Sequence, residues 1–212
     1  MLFYHEVFTS IQGESTDAGI PTTFVRLHGC NVGCKYCDQP QIPSQRRRIS
    51  LANLVNKVDR ERIKNVCITG GEPLLQDDIY PFIYELVYKS YKVSVETSGC
   101  IPIDFDPYNR SFKYVMDIKC PCSGVTEKNV YENLVYLKPQ DEVKFVIATR
   151  EDYDFFKGVM KKYPTSAKIL LSPMFDNSGN AVIGQQLTNW ILKDRLLNVR
   201  VQIQMHKILN VK

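Results

Sequence analysis

Three cysteines within eight residues, Cys30, Cys34 and Cys37, are the densest chemistry in this 212-residue chain. Thiolates on a short loop that also carries Gly33 can wrap an iron–sulfur cube. A 4Fe–4S cluster takes four cysteine ligands as a rule, and no fourth lies at comparable spacing. One iron would then stay open to an exogenous ligand, as a catalytic metal site requires. Two plainer readings remain at this point. Structural zinc could use the three cysteines with His28 or Cys67, and Cys34 with Cys37 has the spacing of a thioredoxin-like redox pair.

The elements around this loop alternate. Strand-like runs fall at residues 23–28, 66–69, 92–96, 114–117, 143–147, 168–171 and 199–203. Helical patterns lie between them. Ser50 can cap a helix carrying Leu51, Leu54, Val55 and Val58, and Ile79, Phe82, Ile83, Leu86 and Val87 form a second stripe. Further helices are expected over 151–162 and 185–197, with Trp190, Ile191 and Leu197 in the core. Such alternation predicts an α/β fold with a parallel sheet and right-handed crossovers. About six such units are too few for a closed eight-stranded barrel, so a partial, open TIM-like barrel of the (β/α)6 type is expected. The whole chain, 1–212, reads as one domain. Chemistry in such folds gathers at the carboxyl ends of the strands. The cysteine loop, Gly70-Gly71, Thr97 to Gly99 and Asp117 to Lys119 each follow a strand and should meet on one rim.

Composition narrows the class. Hydrophobic residues make up 44% and charged residues 24%, with a net charge of +4, ordinary values for a globular enzyme. No apolar run approaches the ~20 residues that span a bilayer, and the first residues lack the charged and apolar regions of a signal peptide, so cytoplasmic residence is the default. Seven cysteines in such a chain point to metal or redox chemistry before disulfides. Arg46, Arg47 and Arg48 form the only dense basic run; it reads as a solvated loop, and no direct nucleic-acid contact is built on it. Cys67 reads as a core residue, and Cys120 and Cys122 as ordinary thiols.

The cysteine spacing, with Tyr36 before the last cysteine and Gly70-Gly71-Glu72-Pro73 after the second strand, resembles the radical S-adenosylmethionine (SAM) superfamily. That resemblance implies that the open iron chelates SAM and that electron transfer releases a 5′-deoxyadenosyl radical. A narrower resemblance extends over nearly the whole chain, to the 7-carboxy-7-deazaguanine synthases. It rests on residues 10–14, residues 24–30, Cys37 followed by Asp38, residues 96–99, residues 116–119 and residues 202–207. This family converts 6-carboxy-5,6,7,8-tetrahydropterin into 7-carboxy-7-deazaguanine with loss of ammonia, on the way to queuosine and related 7-deazapurines.

The resemblance implies a 4Fe–4S cluster on Cys30, Cys34 and Cys37. It implies a SAM site from Tyr36, Cys37, Asp38, Gly70, Gly71, Glu72, Gly99 and Lys119. The pterin would meet Ile11, Gln12, Gly13, Glu14, Thr97 and His206, with Arg26 on its carboxylate, a task that suits the rigid guanidinium fork. Without the resemblance, Arg26 would read as an exposed strand residue, Asp117 and Lys119 as solvated charges at a strand end, and His206 as a tail anchor. Magnesium, a flavodoxin-like electron donor and a homodimer are further implications. One position departs from the family: Gln39 stands where a threonine or serine commonly ligates magnesium, and its longer arm changes the geometry available. Two other functions compete. A glycyl-radical-enzyme activase would share the cysteine loop but act on a protein, and a zinc-binding RNA module would use the cysteines and the arginine run.

Overall fold

The computed structural model describes residues 1–37, 39, 45–107, 109–176 and 180–212. Its frame is one sheet, nine-stranded among the described residues, in the order β3-β1-β2-β4-β5-β6-β7-β8-β9. The strands are β1 (Leu2–Ile11), β2 (Pro21–Leu27), β3 (Arg47–Ile49), β4 (Asn65–Gly70), β5 (Lys92–Thr97), β6 (Phe112–Ile118), β7 (Glu142–Ile147), β8 (Lys168–Pro173) and β9 (Val199–Val201). From β2 onward every neighbouring pair is parallel. β1 and β3 are antiparallel additions at one edge. The sheet does not close, since β3 and β9 end the order. This is the open, partial barrel that the alternating pattern predicted.

Helices α1 (Leu51–Glu61), α2 (Ile79–Tyr88), α3 (Asn133–Tyr136), α4 (Arg150–Lys162) and α5 (Gly184–Lys193) cover the outer face, and α6 (Met205–Leu209) lies against the cavity. Ser50 caps α1 by accepting from the Asn53 N–H, and Leu54, Val55 and Val58 are buried beneath it. Thr149 and Asp152 close a capping box on α4, which satisfies two otherwise orphaned N–H groups. All five apolar positions of the α2 stripe are buried.

The two faces of each parallel strand carry different residues, as the period of two dictates. Toward the helices point Val25, Ile68, Val95, Met116, Phe145 and Leu171, all buried. The alternate positions point inward and are largely polar: Arg26, Thr69, Glu96, Asp117, Lys144 and Ser172 line one internal cavity. Most of the hydrophobic core is therefore outside the barrel, between sheet and helices. The interior of the upper barrel is left for charge.

Several expectations need correction. No strand was expected before Thr23, yet β1 is the longest in the sheet. The arginine run is not a free loop: Arg47 to Ile49 pair with β1, and the Arg46 guanidinium lies 3.7 Å from the centre of the Phe3 ring. An apolar ring and a strand edge recruit the basic side chains as cover. Leu197, expected in the core, is 95% exposed, because α5 ends at Lys193. Ile191 is buried as expected, and Trp190 packs at the core margin against Tyr153. Cys67 and Cys120 are buried, and all seven cysteines are free thiols.

Candidate active site

The strand ends enclose a cavity of about 510 Å³. One wall is the cysteine loop between β2 and β3. Gly29 at φ +112° and Gly33 at φ +78° allow its tight path, since left-handed backbone suits glycine. The loop is tied down at several points. Lys35 N–H donates to the Ser123 carbonyl at 3.0 Å, and the Lys128 ammonium donates to the carbonyls of Asn31 and Val32 at 2.9 and 2.6 Å. Cys30, Cys34 and Cys37 all face the cavity. Cys34 is half-buried and the other two are exposed. Three unbridged thiols on one anchored loop are a fitting donor set for an iron–sulfur cluster with one open iron.

Next to this loop, the end of β4 packs against the end of β2. Gly70 has φ +115°, and a Cβ there would lie 2.3 Å from the Leu27 carbonyl oxygen. Only glycine permits that approach. Gly71 N–H donates to the Leu27 carbonyl at 3.1 Å, and Glu72 N–H to the Gly29 carbonyl at 2.8 Å. Gly70 and Gly71 line the cavity; Glu72 does not. Glu72 is fully buried and acts as a brace. Its carboxylate accepts from the Thr97 hydroxyl at 2.8 Å, from Leu74 N–H at 3.0 Å, from Ser98 N–H at 2.6 Å and from the Ser98 hydroxyl. Gly99 also stays outside the lining, because it packs on the backbone of Asp117, where a Cβ would meet the carbonyl at 2.3 Å. The two residues shape the rim from behind. Asp38 lies outside the described residues.

The opposite wall comes from the segment after β1 and from α6. Ile11, Gln12, Gly13, Glu14 and His206 line it. Gly13 is required by closeness alone: a Cβ would fall 2.1 Å from His206 Nδ1, and Met205 N–H donates to the Gly13 carbonyl at 2.9 Å. Arg26 faces the cavity and is not an exposed strand residue. Its Nη1 pairs with Glu6 at 2.6 Å, its Cζ sits 5.1 Å from the Phe8 ring centre, and its buried Nε has no partner among the described residues. Thr97 and Gln39 also line the cavity. The Cys37 thiol approaches the Gln39 backbone carbonyl at 3.5 Å.

A chain of charges crosses the floor. Lys119 pairs with Asp117 at 2.6 Å, Asp117 with Lys144 at 3.2 Å, and Lys144 with Glu14 at 2.6 Å. Asp117 and Lys119 are therefore not solvated charges, as a strand-end reading had them; burial forces them to pair. Burial works against the charge of Glu14 and Asp117, but the neighbouring ammonium groups overcome it and hold both carboxyls below their usual values. The same pairing outweighs burial at Lys144 and raises its pKa well above the ordinary lysine value. Glu96 goes the other way: burial and then the Glu14 charge push its carboxyl up. Burial likewise raises the Tyr36 phenol.

Lys144 and Glu96 were missed as site residues. The signal was present in the strands themselves. Lysine or glutamate at every second place of an otherwise apolar parallel strand can only face a polar interior.

Comparison with known proteins now adds what geometry cannot. Residues 24–107 match the Radical SAM superfamily. The 7-carboxy-7-deazaguanine synthase of Methanospirillum hungatei JF-1 is 38% identical over 97% of this chain and 84% of its own. The chain belongs to the 7-carboxy-7-deazaguanine synthases. A second such synthase, from Koribacter versatilis, is 38% identical over 96% of this chain and 95% of its own. The fold agrees with the crystal structure of QueE from Escherichia coli at a TM-score of 0.74, with 21% identity over 97% and 94% of the two chains. Membership of a radical SAM family brings a 4Fe–4S cluster and SAM as cofactors. It displaces the zinc and redox-pair readings of the cysteine loop. Among the described residues, no helix is long and apolar enough to cross a membrane.

Proposed function

We propose that this chain converts 6-carboxy-5,6,7,8-tetrahydropterin into 7-carboxy-7-deazaguanine with loss of ammonia, in the biosynthesis of queuosine and related 7-deazapurines. The observation that carries this reading is that one cavity faces three free thiols on one side and Gln12, Arg26 and His206 on the other. Cys30, Cys34 and Cys37 hold the cluster. With both cofactors bound, the cluster supplies the electron and SAM the 5′-deoxyadenosyl radical.

The chain's own residues bind, orient and exclude water. Gly70 and Gly71 leave backbone room for SAM beside the cysteine loop, with Tyr36, Cys37 and Lys119 around it and Glu72 and Gly99 shaping the rim from behind; by family resemblance Asp38 is a further SAM contact. Ile11, Gln12, Gly13, Glu14, Thr97 and His206 border the pterin. The orphaned Arg26 Nε supports a role on the substrate carboxylate, because a buried donor without a partner costs about 1–3 kcal/mol until a ligand satisfies it. Gln39, at the position where the family commonly carries a threonine or serine ligand, would offer its amide oxygen to a magnesium ion. A single domain, a homodimer, a flavodoxin-like electron donor and cytoplasmic residence complete the proposal. The activase alternative gains no support from the relatives.

Anaerobic incubation of the reconstituted protein with carboxytetrahydropterin, SAM and a reductant tests this. The deazaguanine product should form, faster with magnesium than without. Reductive SAM cleavage with no deazaguanine would refute the substrate assignment, and equal rates with and without magnesium would refute the role of Gln39.

A further inference from the structure

The cavity floor holds three carboxyl groups, Glu14, Glu96 and Asp117, and two ammonium groups, Lys119 and Lys144. The ion pairs assign the charges. Asp117 is shared by Lys119 and Lys144, and Glu14 takes the remaining contact of Lys144. Glu96 forms no ion pair among these. Its Oε2 accepts from the Thr69 hydroxyl at 2.8 Å and its Oε1 from the Gln12 amide at a long 3.4 Å. Both contacts are neutral.

Of the other charged groups nearby, Lys207 lines the cavity with its ammonium 5.6 Å from the Phe175 ring centre, and three more are held in ion pairs. Arg26 is held by Glu6; on the same inner face but one layer lower, Lys113 is held by Glu142 and Asp17; Lys212, at the rim, is drawn to Glu6. The buried Cys67 thiol lies against Glu96 from β4. A third carboxylate beside Glu14 would have to share Lys144 with Glu14 and Asp117, so its charge in this desolvated floor would be only partly compensated. It avoids that cost by keeping a proton.

We propose that Glu96 is the general acid that protonates the departing amine when ammonia leaves the ring-contracted substrate. The inference rests on the reaction proposed above. In this step the carbon–nitrogen bond breaks with its electron pair on nitrogen. That nitrogen takes the Glu96 proton and departs as ammonia. The adjacent ring carbon gives its proton to the carboxylate just formed, and the carbon–hydrogen electron pair becomes the new ring double bond. The step is redox-neutral, and it ends with Glu96 protonated again. Thr69 and Gln12 hold the two oxygens in place, one on each side, with the carboxyl facing the cavity. Burial and then the Glu14 charge raise its pKa, which favours the protonated form.

The test separates the radical half of the reaction from the elimination. Substrate deuterated at C6 is incubated with SAM and reductant, and three quantities are read: label transfer into SAM, deazaguanine, and any isomer of the substrate, with or without its deuterium, at a different retention. In Glu96→Gln the label transfer should persist, deazaguanine formation should fall by about 100-fold or more, and the isomeric amine should accumulate. Glu96→Asp should restore part of the product. Deazaguanine at the wild-type rate in Glu96→Gln would overturn the assignment, as would loss of label transfer together with product in a folded variant. If Glu96→Gln does not fold, infrared spectra of the wild-type protein decide. A buried carboxylic-acid carbonyl band near neutral pH supports the proposal, and absence of any such band overturns it. Wild-type protein that makes no deazaguanine at all defeats the reaction itself, an outcome distinct from all of these.

Discussion

Replacing Lys144 by methionine tests the charge chain directly. The side chain is only 12% exposed, and its ammonium bonds Glu14 at 2.6 Å and Asp117 at 3.2 Å. Methionine matches its length and keeps the packing, so the change removes charge with little change of volume. Asp117 would still have Lys119. Glu14 would be left with the amides of Gln204 at 2.6 Å and Gln202 at 3.4 Å, which do not cancel a buried charge. Removing one partner of a buried pair costs about 3–5 kcal/mol. That is a large part of the ~5–15 kcal/mol that holds a domain together. With a urea dependence of ~2–3 kcal/mol/M, the unfolding midpoint should drop by about 1–2.5 M. Anaerobic urea titration followed by circular dichroism measures it. Adding Glu14→Gln to Lys144→Met removes the orphaned carboxylate and should recover much of the loss. A cost below about 1 kcal/mol, or a double variant no better than the single, would refute the buried-pair reasoning.

Two further outcomes follow from the same geometry. Gly70→Ala combines a positive φ with a Cβ 2.3 Å from the Leu27 carbonyl. It should lower stability by at least about 2 kcal/mol and reduce iron incorporation, whereas Gly19→Ala, at φ +92° with open space around it, should cost less; equal melting temperatures would contradict the close-approach argument. Glu14 and Asp117 have depressed pKa values, so their stabilisation is complete above the ordinary carboxylate range and is lost as pH falls through their folded values. Lys144 has the opposite linkage: its contribution is complete below the ordinary lysine value and fades as pH rises through its raised one. Acid titration of Lys144→Met should therefore show unfolding at a higher pH than wild type, and coincident curves would count against the pairing.

Much of this was legible in the chain itself. The cysteine spacing, the alternation of strands and helices, the α1 cap at Ser50 and the α2 stripe all stand in the structure as read, because each depends on contacts within a few residues. The rim assignment of Gly70, Thr97 and Lys119 also held, since strand ends in a parallel sheet lie on one side. β1 escaped notice because its stretch mixes polar and aromatic residues, and its strand state comes from pairing with β2 and β3 on both sides. Leu197 was misplaced because helical periodicity cannot tell where a helix stops.

What the sequence by itself determined is the inventory: which thiols, glycines and charges exist, at what spacing, and on which face of each strand. Tertiary structure alone decided how they combine. Glu72 and Gly99 lie behind the lining, Glu72 accepting from Thr97 and Ser98 and Gly99 packed on the Asp117 backbone. Glu14, Glu96, Asp117, Lys119 and Lys144 come from far-apart segments, and only their meeting in one desolvated space determines which carboxyl keeps its proton. Charge pairing falls steeply with distance and rises steeply with burial, and neither quantity is written in the order of residues along a chain.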